Sequence, residues 1–310
     1  MKIFILDAFH QAGIDLARQH ADVVCWPDPA IERWTEEADG VMVRMRTITA
    51  ADLAKARRLK VICKQGVGYD TIDLDAARER GVAVLTTPGV NSEAVAEMAF
   101  ALTLTVARRT ARFDRMLRAG DEIVRPRHLG IQLQGKTVGV VGMGNIGTCV
   151  ARKWRGAFDA QLLAFDPHAP TDRWADLPHR RVHDLETVLR ESDVVTLHLP
   201  LTPESRNLIG ARELALMKRD AILINVSRGG IISEGALFDA LRGGHLFGAG
   251  LDVFEVEPPP PDHPLLQLEN VVATPHASGG TFETQERSAL QVAQQVIEVL
   301  QGQPPRNRIV

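Results

Sequence analysis

The chain has 310 residues, of which 45% are hydrophobic and 24% charged, and its formal net charge is −3. This composition is typical of a folded globular protein, and the length suggests about two domains. The small net charge gives no electrostatic case for nucleic acid or an anionic membrane as partner. Three cysteines, Cys25, Cys63 and Cys149, form no C-x-x-C pair, so we predict neither a disulfide framework nor a metal site.

The N-terminus carries no pattern of a secretory signal. Its apolar run, in MKIFILDAFH, is too short and ends at Asp7. No apolar run in the chain approaches the length of a membrane span. We therefore predict a cytoplasmic protein.

The N-terminal part of the chain alternates short apolar runs with helical patterns. The predicted strands lie at residues 3–6, 23–26, 40–43, 61–63 and 82–85. Such alternation predicts βαβ units and a parallel sheet. One long helix is predicted from 92 to 119, where apolar residues recur at spacings of three and four. The following segment, 120–133, is predicted to be a loop that wraps a neighbour or covers a cleft.

The most informative motif of the chain lies in residues 136–166, which have the sequence KTVGVVGMGNIGTCVARKWRGAFDAQLLAFD. An apolar strand pattern is followed by Gly142, Gly144 and Gly147 at G-x-G-x-x-G spacing, then by a helical pattern and a second strand that ends at Asp166. In a dinucleotide site these glycines allow the tight turn, the close approach of a pyrophosphate and close helix packing, in that order. The helix N-terminus offers free N–H groups to the phosphates.

Asp166 bears on the choice of cofactor. Its carboxylate can accept hydrogen bonds from both ribose hydroxyls and would repel a 2′-phosphate. The next residues are Pro167 and His168, with no Arg to hold that phosphate. We therefore predict NAD as the cofactor, rather than NADP.

After Asp166, strand patterns recur at residues 194–199, 221–226, 248–253 and 271–273. A last helix, 281–301, is predicted to return the chain to the first domain, and no C-terminal regulatory domain is expected. The predicted fold class is α/β, with two Rossmann-like, doubly wound parallel-sheet domains. Residues 1–96 and 287–310 are predicted to form a discontinuous, flavodoxin-like substrate domain, into which the NAD-binding domain, 97–286, is inserted.

Three polar clusters follow predicted strands of the second domain, where ligands of open parallel sheets bind. NVSRGG contains Arg228, whose planar guanidinium can grip a carboxylate through two hydrogen bonds. GLDVFEVEP contains Asp252 and Glu257, and TPHASGG contains His276, a side chain suited to proton transfer near neutrality. Glu257 beside His276 would stabilise the imidazolium. Asp252, inside an apolar strand, needs a partner, and a carboxamide donor is the expected one.

GMGNIG with Asp166, NVSRGG, GLDVFEVEP and TPHASGG resemble, in order and spacing, the four signatures of the D-isomer-specific 2-hydroxyacid dehydrogenases. Within that family, the chain resembles the phosphoglycerate dehydrogenase and hydroxypyruvate or glyoxylate reductase branches. The resemblance implies two Rossmann-like domains, an NAD(P) cofactor and a dimer. It also implies that Arg228 binds the substrate, that His276 is the acid/base and that Glu257 orients His276.

The resemblance further implies which residues meet the cofactor and the substrate. Those near the pyrophosphate and nicotinamide are Asn145, Ile146, Pro200, Val226, Ser227, Asp252, Ser278 and Gly279. In the first domain, KQGVGYDTID resembles the family's glycine loop, whose N–H groups around Val67 and Gly68 hold the substrate carboxylate.

The substrate stays open between several 2-hydroxy or 2-keto acids: phosphoglycerate-like, hydroxypyruvate, glyoxylate and sulfolactate-like. Arg44 and Lys64 match basic positions of the phosphoglycerate branch and, with Arg46, either clamp a second anion or are solvated charges. Met45, Gln65 and Tyr69 depart from the phosphoglycerate pattern.

Other functions are compatible with the same fold. Glu257 argues against formate oxidation, because the formate branch lacks the Glu–His pair. Phosphite oxidation has no distinctive support. An NAD-sensing corepressor remains the alternative from another class, although nothing resembles an extended regulatory tail.

Overall fold

The computed structural model describes residues 1–310 and divides into two compact units. One consists of Met1–Asn91 and Gly279–Val310, and the other of Ser92–Ser278. None of the helices combines the length and the apolar character needed to cross a bilayer.

Strands and helices alternate along most of the chain. The strands are β1 Lys2–Ile5, β2 Asp22–Cys25, β3 Gly40–Val43, β4 Val61–Lys64, β5 Ala83–Leu85, β6 Thr137–Val141, β7 Gln161–Phe165, β8 Arg180–Arg181, β9 Val194–Leu197, β10 Ile222–Asn225, β11 Gly248–Leu251 and β12 Val271–Ala273. The helices are α1 Gln11–Arg18, α2 Trp34–Glu37, α3 Ala50–Lys55, α4 Leu74–Glu79, α5 Ser92–Arg108, α6 Thr110–Ala119, α7 Asn145–Phe158, α8 Leu185–Glu191, α9 Ala211–Leu216, α10 Glu234–Arg242 and α11 Phe282–Leu300. Short 3₁₀ helices lie at Pro29–Arg33, Arg125–His128 and Pro264–Gln267.

The first unit is built on a five-stranded parallel sheet in the order β2-β1-β3-β4-β5. Successive side chains of a strand point to opposite faces, so Ile3 and Ile5 pack with α11 on one face while Phe4 packs in a second cluster on the other. Both faces are covered, which explains why these strands are apolar throughout. The C-terminal helix α11 thus belongs to the core of the first sheet, through residues such as Val292 and Val296.

The second unit contains a seven-stranded sheet in the order β12-β11-β10-β9-β6-β7-β8. All of its pairings are parallel. The strand order reverses beside β6, because β7 and β8 lie on one side of it and β9 to β12 on the other. Open parallel sheets bind ligands at such a reversal, outside the carboxyl ends of the strands.

The predicted fold class, two doubly wound parallel-sheet domains, is confirmed. The predicted domain limits, 96/97 and 286/287, fall inside α5 and α11, whereas the compact units separate just before these helices.

Two local predictions were wrong. The single helix predicted from 92 to 119 is interrupted at Arg109, which has a φ of 54°. Its guanidinium lies 4.4 Å from the centre of the Phe247 ring, and its Nε donates to the Leu129 carbonyl at 2.9 Å. These tertiary contacts override the helical pattern. The predicted strand 248–253 ends at Leu251, so Asp252 follows the strand instead of lying within it.

Candidate active site

The glycine loop follows β6, next to the reversal of strand order. Gly142 has a φ of 100°, and a Cβ on it would lie 2.3 Å from the carbonyl oxygen of His198. A Cβ on Gly147 would lie 2.0 Å from the Gly142 carbonyl oxygen. Backbone packing therefore requires both glycines. A Cβ on Gly144, in contrast, would meet no atom within 4 Å, so this side of the loop has room for a ligand.

Helix α7 begins directly behind this open glycine. Gly144 is its N-cap residue, and no side chain caps the helix. Asn145 is exposed and Ile146 is half-buried. The N-terminal N–H groups and the positive end of the helix dipole are thus available to an anion. An open glycine and an uncapped helix N-terminus fit the pyrophosphate of a dinucleotide.

Asp166 follows β7 and ties the glycine loop to the next loop. Its Oδ2 accepts the Met143 N–H at 2.8 Å. Its Oδ1 accepts the N–H groups of His168 and Ala169 at 2.9 and 3.0 Å. The half-buried carboxylate therefore has a structural role that the sequence did not reveal. It stands at the strand end where a ribose would lie in this fold.

Arg173 is a further residue of this region that sequence reasoning missed. Its Nε donates to the Met143 carbonyl at 2.7 Å and its Nη2 to the Thr148 hydroxyl at 3.2 Å. The Trp174 indole donates to the same hydroxyl at 2.7 Å. Arg173 thus braces the glycine loop against α7. No motif marks it, because it lies in an irregular segment after β7.

Three of the residues assigned to the cofactor follow β9 and β10. Pro200 is exposed, and its carbonyl accepts the Ser205 hydroxyl at 2.7 Å. Val226 and Ser227 are buried. The Ser227 N–H and hydroxyl donate to Asn225 Oδ1 at 3.0 and 2.6 Å, which fixes the turn that leads to the next residue, Arg228.

Arg228, Glu257 and His276 follow the adjacent strands β10, β11 and β12. His276 Nδ1 lies 2.7 Å from Glu257 Oε2, and Glu257 Oε1 accepts the Phe254 N–H at 3.1 Å. A Cβ on Gly229 would lie 1.9 Å from the Phe254 carbonyl oxygen. The backbone beside Arg228 therefore packs directly on the segment that carries Glu257, and the fold brings the three predicted clusters to one edge.

The neighbouring side chains change the pKa of Glu257. Burial raises the pKa of its carboxyl, but the hydrogen bond from His276, the charges of His276 and Arg228 and the Phe254 N–H lower it, and the net pKa is below its ordinary value. The carboxylate is therefore ionised throughout the neutral range. An ionised Glu257 can hold His276 Nδ1 and leave Nε2 for a substrate.

The Asp252 carboxylate already accepts hydrogen bonds from within the chain, and the carboxamide donor expected from the sequence stays a prediction. Asp252 is fully buried, and its Oδ1 accepts the Thr274 hydroxyl at 2.5 Å and the Ala277 N–H at 2.8 Å. Its Oδ2 accepts the Ser278 N–H at 3.0 Å. The chain itself supplies the donors that the buried carboxylate requires. Gly279, the next residue, is half-buried and begins the last segment of the first unit.

The first unit has its own candidate binding loop after β4. Gly66 and Thr87 form reciprocal hydrogen bonds: the Gly66 N–H donates to the Thr87 hydroxyl at 2.8 Å, and the Thr87 N–H donates to the Gly66 carbonyl at 2.8 Å. The N–H groups of Val67 and Gly68 donate no hydrogen bond within the chain. Two adjacent free N–H groups on a braced loop suit a carboxylate.

The basic residues near this loop are largely engaged within the chain. Lys64 is 7% exposed, and its Nζ donates to the Arg44 carbonyl. Arg46 forms a two-point ion pair with Glu32 at 3.0 and 2.6 Å. Asp7 accepts the N–H groups of residues 44–46. The Arg44 guanidinium alone has no ion-pair partner in the chain.

Comparison with known proteins identifies the family of the chain. Residues 100–278 match the model of the D-isomer specific 2-hydroxyacid dehydrogenase, NAD binding domain. The chain is 40% identical over 318 residues to a glyoxylate reductase of Korarchaeum cryptofilum, covering 99% of this chain and 95% of that protein. It is 39% identical over 311 residues to a D-3-phosphoglycerate dehydrogenase of Methanocaldococcus jannaschii, covering 99% of this chain and 59% of the relative's length.

A solved structure shares the fold over nearly the whole chain. It is the D-lactate dehydrogenase of Aquifex aeolicus in complex with NAD and lactic acid, with a TM-score of 0.84 and 29% identity. The match covers 97% of this chain and 96% of that one. The predicted family and NAD as the predicted cofactor are confirmed, and the chain belongs to the D-isomer specific 2-hydroxyacid dehydrogenases, a family of NAD-dependent oxidoreductases.

Proposed function

We propose that this protein transfers a hydride between NAD and C2 of a D-2-hydroxy acid or the matching 2-keto acid. The observation that carries the proposal is the 2.7 Å contact between His276 and Glu257, at the same strand edge as the glycine loop. The NAD, when bound, supplies or accepts the hydride. The remaining chemistry, namely binding, proton transfer and stabilisation of charge, falls to side chains of the chain.

His276 is the proposed acid/base. Its side chain is 41% exposed, so its ring can meet a substrate while Nδ1 stays on Glu257. In reduction, Nε2 donates a proton to the carbonyl oxygen at C2, and in oxidation it removes the hydroxyl proton. General acid/base catalysis of this kind contributes about 10²–10⁴-fold to a rate.

Arg228 is proposed to bind the substrate and stabilise the negative charge that develops on its oxygen. Its Nη1 donates to the Ser227 carbonyl at 2.7 Å, which anchors the guanidinium to the β10 turn. A preorganised donor at the developing oxyanion favours the transition state over the ground state.

The cofactor contacts follow from the open side of the glycine loop. We assign the pyrophosphate to Gly144, Asn145 and Ile146, and the adenosine ribose to Asp166. The residues assigned to the nicotinamide end are Pro200, Val226, Ser227, Asp252, Ser278 and Gly279.

Asp166 makes the cofactor assignment testable. Asp166→Ala should lower kcat/KM for NADH and shift the NADH-to-NADPH ratio towards NADPH, because the carboxylate that repels a 2′-phosphate is removed. Competition between the two coenzymes in a 340 nm assay measures the ratio. Asp172→Ala, an exposed acid nearby in sequence, is the control and should leave the ratio unchanged. An unchanged ratio in Asp166→Ala would remove Asp166 from the ribose.

On the substrate side, we assign the carboxylate to the N–H groups of Val67 and Gly68, with Arg44 and Lys64 nearby. Because Lys64 and Arg46 are already engaged, a clamp for a second anion would depend on Arg44 alone. This favours hydroxypyruvate and glyoxylate over phosphoglycerate-like and sulfolactate-like substrates.

A screen for oxidation of NADH at 340 nm tests the function. The panel consists of glyoxylate, hydroxypyruvate, phosphohydroxypyruvate and sulfopyruvate, with buffer alone as the control. Turnover should be fastest with the first two. No turnover of these 2-keto acids with NADH, and none of the matching 2-hydroxy acids with NAD, would contradict the proposal and favour the corepressor-like alternative. Reduction of NAD by phosphite, followed as a rise at 340 nm, would instead favour the phosphite-type dehydrogenase.

The protein is proposed to be a cytoplasmic homodimer. Its three cysteines are unpaired, as expected in a reducing compartment. Helix α6 buries none of its residues within the chain, and Leu117 and Leu129 are 70% and 71% exposed. A second copy of the chain is the proposed cover of these two apolar side chains.

Light scattering in solution tests the dimer. The wild type should have twice the mass of the chain, and Leu117→Glu with Leu129→Glu should shift the mass towards one chain, because both charges would be buried on association. Leu290→Gln, on α11 of the first unit, is the control. A monomeric wild type would refute the proposal, as would a double variant that stays dimeric.

A further inference from the structure

We propose that Asp252 and Thr274 are positioning residues that hold His276 in the orientation needed for proton transfer. The inference rests on the proposed function of His276. It gives Asp252 a role through the loop it holds, in addition to its assignment to the nicotinamide end, and it gives Thr274 a role that the sequence motifs did not suggest.

The segment from Thr274 to Ser278 is wrapped around one buried carboxylate. The two oxygens of Asp252 accept the Thr274 hydroxyl, the Ala277 N–H and the Ser278 N–H at 2.5, 2.8 and 3.0 Å. The Asp252 carbonyl oxygen also accepts the His276 N–H at 2.7 Å. Asp252 is 0% exposed, so these bonds are shielded from water and correspondingly strong.

The segment needs such restraint because His276 has an unfavourable backbone conformation. Its φ is 51°, in the left-handed region that residues other than glycine rarely occupy. Such a conformation persists only where the surroundings determine it, and it is often found at functional sites. Here the restraint is the set of bonds to Asp252 on both sides of His276.

The His276 ring itself has few contacts. Its only hydrogen bond to a side chain is the one to Glu257, and its side chain is 41% exposed. The direction of Nε2 is therefore set by the backbone of the loop together with Glu257. Loosening one bond to Asp252 should misalign the ring without removing any group that touches the substrate or the cofactor.

Thr274 allows a conservative test. Thr274→Val keeps the shape of the side chain and removes the hydroxyl that donates to Asp252, while Thr274→Ser keeps the hydroxyl and is the matched control. We expect Thr274→Val to lower kcat with the best 2-keto acid by roughly 10- to 100-fold, as misplacement of a catalytic group does. The pH dependence of kcat should shift as well, because the His276–Glu257 contact changes. The Kd of NADH, from fluorescence titration, should stay at the wild-type value.

The outcomes separate this inference from the proposed function. Absence of turnover in the wild type would defeat the proposed function. With an active wild type, the inference is overturned if Thr274→Val has normal kcat and pH dependence, or if Thr274→Ser is as impaired as Thr274→Val. It is also overturned if Thr274→Val weakens NADH binding in proportion to kcat. Asp252→Asn provides a second variant, read through kcat alone: its amide leaves one loop donor without an acceptor, and kcat should fall further than in Thr274→Val.

Discussion

Replacing His276 with Ala should abolish nearly all turnover while leaving NADH binding intact. The imidazole is the only proposed proton donor for the carbonyl oxygen at C2, and losing a general acid costs about 10²–10⁴-fold. The ring is exposed and bonds only Glu257 among side chains, so its removal should not disturb the glycine loop. Steady-state kinetics at 340 nm give kcat, and fluorescence titration gives the Kd of NADH.

His183→Ala is the matched control, because this exposed histidine of the same unit has no proposed part in the reaction. It should retain wild-type kcat. Normal turnover in His276→Ala would refute the assignment of the acid. Loss of NADH binding together with turnover would show that His276 acts on the cofactor site instead.

Replacing Arg228 with Lys should lower kcat/KM for the 2-keto acid by roughly 10²–10³-fold, the cost of losing one donor to a developing oxyanion. Lys keeps the positive charge but lacks the planar fork that binds a carboxylate at two points. It would also lose the geometry that anchors Arg228 to the Ser227 carbonyl. The measurement is kcat/KM as a function of keto-acid concentration at saturating NADH.

The control for Arg228→Lys is Arg242→Lys, on the exposed side of α10, where the guanidinium pairs with Asp239. It should leave kcat/KM unchanged. If Arg228→Lys behaves in the same way, a simple positive charge suffices at this position and the two-point contact is refuted.

Much of the fold could be predicted because both sheets are covered by helices. Buried parallel strands are continuous apolar runs, and residues 137–141 gave such a run followed directly by the glycine loop. The interruption at Arg109 was missed, because it depends on contacts with Phe247 and Leu129, which are distant in sequence. The edge strand β8 was missed as well, since Arg180–Arg181 has no apolar signal.

The residues of the candidate site could be predicted where a sequence motif places a chemically suited side chain directly after a predicted strand. Arg228, Glu257 and His276 each follow a strand, and neighbouring parallel strands bring them to one edge. The hydrogen bonds that hold this region together were harder to predict. Nothing in the sequence indicates that Asp252 accepts the Thr274 hydroxyl, because that contact crosses from one strand end to the next.

The partners of charged side chains could not be predicted from the sequence either. Lys64 and Arg46 looked like candidates for an anion site, because a sequence displays charge without displaying its partners. In the structure Lys64 donates to a carbonyl and Arg46 pairs with Glu32. Only the folded chain separates a cation that is available to a ligand from one that holds a loop.

Transfer of deuterium tests the central claim most directly. The protein is incubated with glyoxylate or hydroxypyruvate and NADH carrying deuterium at both C4 positions, and the product is examined by NMR and chiral chromatography. Deuterium bonded to C2 of the 2-hydroxy acid is the expected result, with the D configuration in the product of hydroxypyruvate. A product without deuterium at C2, or an L product from hydroxypyruvate, would contradict the proposed hydride transfer to a D-2-hydroxy acid.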